Sequence, residues 1–82
     1  MNETEIGKVA HYYTKIGVAI IELTDALKVG ETIHIQGATT DFEQVVESMQ
    51  IEHESIDEAK AGDVVGLKIK EKVREGDIVS KK

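Results

Sequence analysis

Residues branched at Cβ dominate the apolar part of this chain. Isoleucine and valine together number 19, whereas leucine occurs three times. A branch at Cβ stiffens χ1 and packs better on a pleated sheet than on a helix. Seven glycines are spread along the chain, as expected of residues that separate short strands. The sequence therefore predicts an all-β fold.

Length and composition exclude several classes of protein. Eighty-two residues suffice for one domain, which we assign to residues 1–82. The chain has no cysteine, which excludes disulfides and thiolate sites and suits a reducing cytoplasm. Its longest apolar run, residues 18–21, is far shorter than the roughly 20 residues that span a bilayer, so we expect no membrane partner. The net charge of −6 argues against indiscriminate binding to nucleic acid.

Periodicity and turn residues predict six short strands, at residues 5–12, 18–23, 32–36, 43–53, 64–70 and 78–79. The residues expected to share one face of the first strand are Ile6, Lys8, Ala10 and Tyr12. Glu47 predicts a bulge in the fourth strand, and a Ser-x-x-Glu capping pattern predicts one helical turn at residues 55–61. Six or more short antiparallel strands fit a small closed β-barrel.

Three loops share one feature, a glycine followed directly by an acidic residue and then a strand. These pairs are Gly30-Glu31, Gly62-Asp63 and Gly76-Asp77. Glycine can adopt positive φ to reverse the chain, and the carboxylate can accept backbone N–H bonds within the turn. We interpret all six residues as structural, with no part in catalysis or metal binding.

Motifs of enzymes are missing from the sequence. It contains no phosphate-binding Gly-x-x-x-x-Gly-Lys loop, no Gly-x-Ser-x-Gly elbow and no His-Glu-x-x-His. His11, His34 and His53 fall on three different predicted strands, and a metal site would need at least two of them to converge with a carboxylate. Glu52-His53-Glu54 is the segment to inspect for such a site. We therefore expect no enzyme activity, no catalytic residue, no metal and no cofactor.

A row of cations begins in the fifth predicted strand and continues beyond its end. Lys68, Lys70, Lys72 and Arg74 recur every second residue, with apolar residues between them. On a strand this spacing places four positive charges on one face, where they could contact phosphates of RNA. The alternative is a solvated outer face, moderated by neighbouring glutamates. Tyr12 and Tyr13 are adjacent, so at most one of the two rings can offer a surface platform for stacking.

The ordered set of loops resembles the second, β-barrel domain of the translational GTPases. The first part of the chain resembles the barrel of bacterial initiation factor two, at Ile6-Gly7-Lys8-Val9, residues 15–19 and residues 26–32. Residues 46–54 and 58–67 resemble elongation factor one-alpha, and residues 74–79 match the closing element of this family, which includes elongation factor Tu. The resemblance implies a barrel that contacts transfer RNA or ribosomal RNA. The GTP-binding domain has no counterpart here, so no nucleotide binding is expected.

Two main functions remain open from the sequence. The first is a cytoplasmic, non-enzymatic module of protein biosynthesis, elongation-factor-like, which binds RNA or the ribosome through the cation row. The second is a protein–protein adaptor, docking through its acidic residues, or an accessory subunit of a larger enzyme. A barrel of this kind is also appended to collagenase-like peptidase-family proteins, which makes such an enzyme one candidate partner. A third hypothesis is a small metal-dependent enzyme built on the histidines, but the sequence does not show the residue spacing that such a metal site requires.

Overall fold

The chain folds entirely into β structure. The structure, a computed structural model, describes residues 3–52 and 54–82. Their ten strands are β1 (Thr4–Tyr13), β2 (Val18–Leu23), β3 (Leu27–Lys28), β4 (Thr32–Gln36), β5 (Asp41–Val45), β6 (Met49–Ile51), β7 (Glu54–Ile56), β8 (Glu58–Ala59), β9 (Val64–Lys68) and β10 (Ile78–Lys81). The predictions of β2 and β4 are confirmed residue for residue. Among the described residues no helix is long and apolar enough to cross a membrane.

Eight strands form one antiparallel sheet in the order β5-β4-β10-β1-β2-β9-β6-β7, and β3 pairs with β8 in a small second sheet. The all-β, antiparallel prediction is confirmed. The large sheet curls into a half-barrel, and within the described ranges the ladder leaves β5 and β7 as its edges. The prediction of a closed barrel is not confirmed, because the described residues show no backbone pairing that joins these two edges.

Aliphatic side chains fill the inside of the curl. The fully buried large side chains are Ile6, Val9, Ile21, Leu27, Ile33, Ile35, Val46, Met49, Val65, Leu67 and Val79. Seven of the eleven are isoleucine or valine from strands, and Tyr12 and Phe42 only pack against this core from its margin. Because stiff, branched side chains alternate inward along each strand, the core forms without a large aromatic residue.

Strand β1 departs from simple alternation. Its register with β10 shifts between Glu5 and Gly7, and its register with β2 shifts between Val9 and His11. Each shift adds a residue on one strand, as a β-bulge does, and moves the following side chains to the opposite face. The prediction that Lys8 shares a face with Ile6 is therefore wrong, because Val9 is in the core and Lys8 is exposed.

The predicted strand at residues 43–53 is two strands, β5 and β6, which belong to opposite ends of the sheet. The chain leaves β5 at Val46, whose N–H donates to Glu31 O at 2.9 Å while its own carbonyl accepts from Gly30 N at 2.8 Å. Val46 is buried although Val45 is exposed. The irregularity expected at Glu47 is thus a change of partner strand.

The predicted helical turn at residues 55–61 is wrong. Ser55 pairs with Gln50 in the β6–β7 hairpin, and Ala59 pairs with Leu27 in the small sheet. The Ser-x-x-Glu pattern is a local preference worth about 1 kcal/mol. Strand pairing with two distant segments, and burial of Ala59, outweigh it here.

The three glycine–acid corners are turns of one design. Gly30, Gly62 and Gly76 have φ of 99°, 92° and 91°. In each corner the acidic side chain accepts the N–H of the residue three positions earlier, at 2.8 to 3.0 Å. The N–H of the acidic residue bonds back to the carbonyl of that same residue. Positive φ at the third position with this bond defines a type II turn, which only glycine adopts readily.

A buried glutamine links β5 to the segment that follows β9. The Gln44 side chain donates from Nε2 to Lys68 O and accepts at Oε1 from Lys70 N, both at 2.9 Å. Gln44 is 6% exposed. Its amide reproduces the donor and acceptor of a backbone peptide, so a side chain connects β5 to a segment that its own backbone does not pair with.

Candidate binding surface

The outer face of β2 and β9 carries apolar side chains that the described residues bury only in part. Ala19, Ile21 and Leu23 of β2 point into the core, so Val18 and Ile20 point outward. Gly66 lies opposite Ile20 in the ladder and has no side chain. A Cβ built on Gly66 would lie 3.4 Å from Val18 Cγ1 and 3.6 Å from Ile20 Cδ1. The missing side chain therefore leaves a depression floored by backbone and walled by branched side chains.

This depression is an open groove of about 550 Å³, which we name the Gly66 groove. Tyr13, Ile16, Val18, Ile20, Val64 and Gly66 line its apolar part. Tyr13, Ile16 and Val64 are 48%, 60% and 50% exposed, and they are three of the five large hydrophobic side chains exposed in the described residues. Scattered exposed hydrophobic residues are ordinary, but residues gathered on one concave face indicate a contact surface.

The polar rim of the groove is acidic. Within residues 3–52 and 54–82, the charged residues of its lining are Glu52 and Asp63, and Gln50 also lines it. Glu52 has φ of 51°, in the left-handed region, where it begins the connection between β6 and β7. Positive φ is typical of tight hairpin connections, and for a residue with a side chain it has a cost in strain. Glu52 is thereby held among the residues that line the groove.

The four cations of the predicted row are all exposed, and Ile69 and Val73 between them are buried. The alternation thus holds, but only Lys68 lies in a strand. The chain leaves the sheet after Lys68, where Gln44 holds its backbone, and Arg74 opens the third glycine–acid corner. The prediction that one strand carries all four cations is therefore wrong, because Lys70, Lys72 and Arg74 lie beyond the end of β9.

The two tyrosines divide as expected of neighbours on a strand. Tyr12 packs against the core, and Tyr13 is half exposed in the Gly66 groove. The rings of Tyr13 and His11 meet edge to face, with centroids 4.5 Å apart. His11 Nδ1 also lies 2.8 Å from Glu75 Oε2 on the surface.

His34 occupies a second polar site, which we name the His34 cluster and which comprises Glu3, His34, Asp41, Glu43 and Lys82. His34 Nε2 lies 2.5 Å from Asp41 Oδ1, and Nδ1 lies 2.9 Å from both oxygens of Glu3. Carboxylates only accept, so both ring nitrogens must donate and the ring is an imidazolium. The hydrogen bonds to Asp41 and Glu3 raise the pKa of His34 above its ordinary 6.5.

Three potential ligands converge here, which sequence reasoning missed. Ligand atoms of Glu3, His34 and Glu43 lie within 4.8 Å of one another. As described, these groups form an ion-pair network, in which His34 bonds Glu3 and Asp41 while Glu43 pairs with Lys82 at 2.9 Å. These ligands could have been found from the pairing of His34 with Glu43 between β4 and β5, but that pairing is known only once the strand register is known. His53 lies outside the described residues.

Comparison with known proteins points to peptidases. No protein-family model matches the chain. The chain is 53% identical over 76 residues, 92% of its length, to an uncharacterized protease of Methanocaldococcus jannaschii. It is 35% identical over 77 residues to a collagenase of Porphyromonas gingivalis. These matches span only 19% and 21% of the relatives, so the chain corresponds to about a fifth of their length.

Among solved structures, the chain matches the C-terminal domain of a Geobacillus thermoleovorans protein classed with the U32 peptidases. The TM-score is 0.90, and the match covers 96% of this chain and 92% of that domain at 22% identity. The fold is that of a U32 peptidase C-terminal domain. This similarity extends over the half-barrel as a whole, so it includes the strands that form the Gly66 groove.

The predicted kinship with translational GTPases is wrong. The sequence similarity lies with proteases and collagenases, and the fold is that of a U32 peptidase C-terminal domain. The elongation-factor-like, RNA-binding function in protein biosynthesis falls with it. The prediction failed because it relied on the three glycine–acid corners. A type II turn with a capping carboxylate can reverse the chain between short strands in any β protein, so it does not identify a family. The alternative of an accessory part of a collagenase-like peptidase agrees better with these relatives.

Proposed function

We propose that this chain is a non-catalytic, accessory β domain of a U32-type peptidase and that it works by binding protein. The similarity to a fifth of a protease, at 53% identity, carries this proposal. A segment of that size that folds as a separate half-barrel is suited to positioning or recognition, while the remaining four-fifths of the relative supplies the chemistry.

The side chains of the described residues agree with a role other than catalysis. The chain has no cysteine nucleophile. The hydrogen bonds that engage histidine rings in residues 3–52 and 54–82 go to carboxylates, and none joins a ring to a serine or threonine hydroxyl. The Gly66 groove is an open surface with many apolar side chains in its lining. A surface of this kind binds through apolar contact.

Closure of the barrel belongs to the same proposal. We infer that Gln44 completes the half-barrel where backbone pairing stops, since its amide bonds both Lys68 O and Lys70 N. A barrel closed in this way is a rigid body whose outer face keeps a fixed shape. Rigid presentation reduces the entropy lost on binding a partner.

Proteolysis assays test the proposed function. The full Methanocaldococcus jannaschii protease is compared with a chimera in which its matched segment is replaced by this 82-residue chain, and with the chain alone. We expect the chimera to hydrolyse gelatin with the efficiency of the parent protease, and the chain alone to show no hydrolysis above buffer. Hydrolysis by the chain alone would overturn the non-catalytic assignment. A folded chimera that has lost activity would show that the chain cannot stand in for that segment.

A further inference from the structure

The Gly66 groove has a shape and a composition that define its occupant. Its floor is the backbone at Gly66, and its walls are the outward side chains of Val18 and Ile20. Above them stand Tyr13 and Ile16, both about half exposed or more. An occupant that fills this space must offer apolar side chains narrow enough to reach a glycine backbone.

Charge adds a second condition. Among the described residues, the charged ones that line the groove are Glu52 and Asp63, and both are acidic. The Asp63 carboxylate accepts a hydrogen bond from Lys60 N, and together with Glu52 it gives the described part of the lining a negative charge. Complementarity therefore favours an occupant with lysine or arginine beside its apolar side chains.

The comparisons indicate where such an occupant lies. The relatives continue for about four-fifths of their length beyond the part that matches this chain. Interfaces between domains of one chain resemble interfaces between proteins, with an apolar centre and a polar rim, and the Gly66 groove has both parts.

Resting on the function proposed above, we propose that the Gly66 groove is the surface on which the peptidase body of a U32-type protein docks. The body inserts an apolar segment flanked by basic side chains, and the groove orients the domain relative to the catalytic part. Val64, at the mouth of the groove, becomes covered in the docked state.

Cysteine labelling tests this surface, since the chain has no cysteine of its own. Val64→Cys reports on the groove, and Val45→Cys is the matched control, because the two valines are 50% and 45% exposed and Val45 does not line the groove. Ile16→Cys is a second reporter in the groove. Each variant is made in the 82-residue chain and in the chimera, and maleimide labelling of each site is followed by peptide mass spectrometry.

In the isolated chain we expect all three sites to label at similar rates. In the chimera we expect V64C and I16C to label at least about tenfold more slowly, while V45C is unchanged, because a docked surface reacts only when it opens. Unchanged labelling at all three sites would overturn the docking surface, whereas the proposed function is overturned separately, by hydrolysis of gelatin by the chain alone. Protection at V45C, alone or equal to that at V64C, would overturn the groove while the proposed function stands. Protection of V64C that appears only after gelatin is added would assign the groove to substrate and overturn docking of the body.

Discussion

Strand β5 and the Gly66 groove solve opposite problems. Strand β5 is an edge strand with polar side chains, and those side chains find partners within the chain: Gln44 bonds the 68–70 backbone, Asp41 bonds His34, and Glu43 pairs with Lys82. The groove lies in the middle of the sheet between paired strands, yet Tyr13, Ile16 and Val64 stay about half exposed or more. The region with satisfied contacts stabilises the fold, and the uncovered region is available to a partner.

The largest effect should come from removing the link between β5 and the chain after β9. Gln44→Ala deletes two hydrogen bonds of a buried amide, and we expect it to lower the free energy of unfolding by about 2 kcal/mol. Urea denaturation of the isolated chain measures this. Gln50→Ala, on the exposed rim of the groove, is the control and should change it by less than about 0.5 kcal/mol. Equal effects at the two positions would remove the distinction between the regions.

A corner glycine and the groove glycine should respond to the same substitution with opposite sign. Gly62 has φ of 92° and open space around a built Cβ, so Gly62→Ala should cost about 1–2 kcal/mol through backbone strain alone. Thermal unfolding, with Gly30→Ala as a repeat of the same turn, checks this. Destabilisation at neither corner would mean that the turns do not require positive φ.

Gly66 has no such backbone constraint. Its Cβ would make ordinary contacts with Val18 and Ile20, so Gly66→Ala should stabilise the isolated chain by about 0.4–1 kcal/mol through the lower entropy of the unfolded state. The same denaturation experiment measures it. Marked destabilisation would show that the floor of the groove is tightly packed rather than open.

The smallest effect should be a dependence on pH set by the His34 cluster. Because the folded pKa of His34 is raised above 6.5, its contribution to stability is complete below that pH and declines as pH rises through the folded pKa. The difference in unfolding free energy between the parent chain and His34→Gln should therefore shrink from pH 6 to pH 9. His11→Gln is the control, since His11 pairs with one exposed glutamate. A difference that grows with pH would contradict the imidazolium assignment.

Local chemistry made part of this fold predictable. The counts of branched residues gave the all-β class, and each glycine–acid pair gave a turn, because both depend on residues adjacent in sequence. The sequence did not predict which strands pair with one another. The exit of the chain at Val46, the bulges of β1 and the strand at Ser55 all depend on which distant segment lies alongside.

The candidate surface follows the same division. Alternation correctly placed Lys68 outside and Leu67 inside, but the row of cations appeared to be one strand because nothing local shows that Gln44 holds the chain after Lys68. The Gly66 groove was hidden for a similar reason. Its walls come from two strands 46 residues apart at Ile20 and Gly66, and only their register brings them together. Turn chemistry also suggested the wrong relatives, because it reflects geometry that unrelated barrels share.

The pairing of β1 with β10 has a consequence for how the barrel can be carried. Thr4 lies opposite Lys81, so both ends of the described chain emerge side by side at one seam. Polypeptide joined to either end would meet the half-barrel at the same place, and a loop of a larger protein could receive the whole unit without disturbing a strand pairing. Both connections would then occupy one region of the surface.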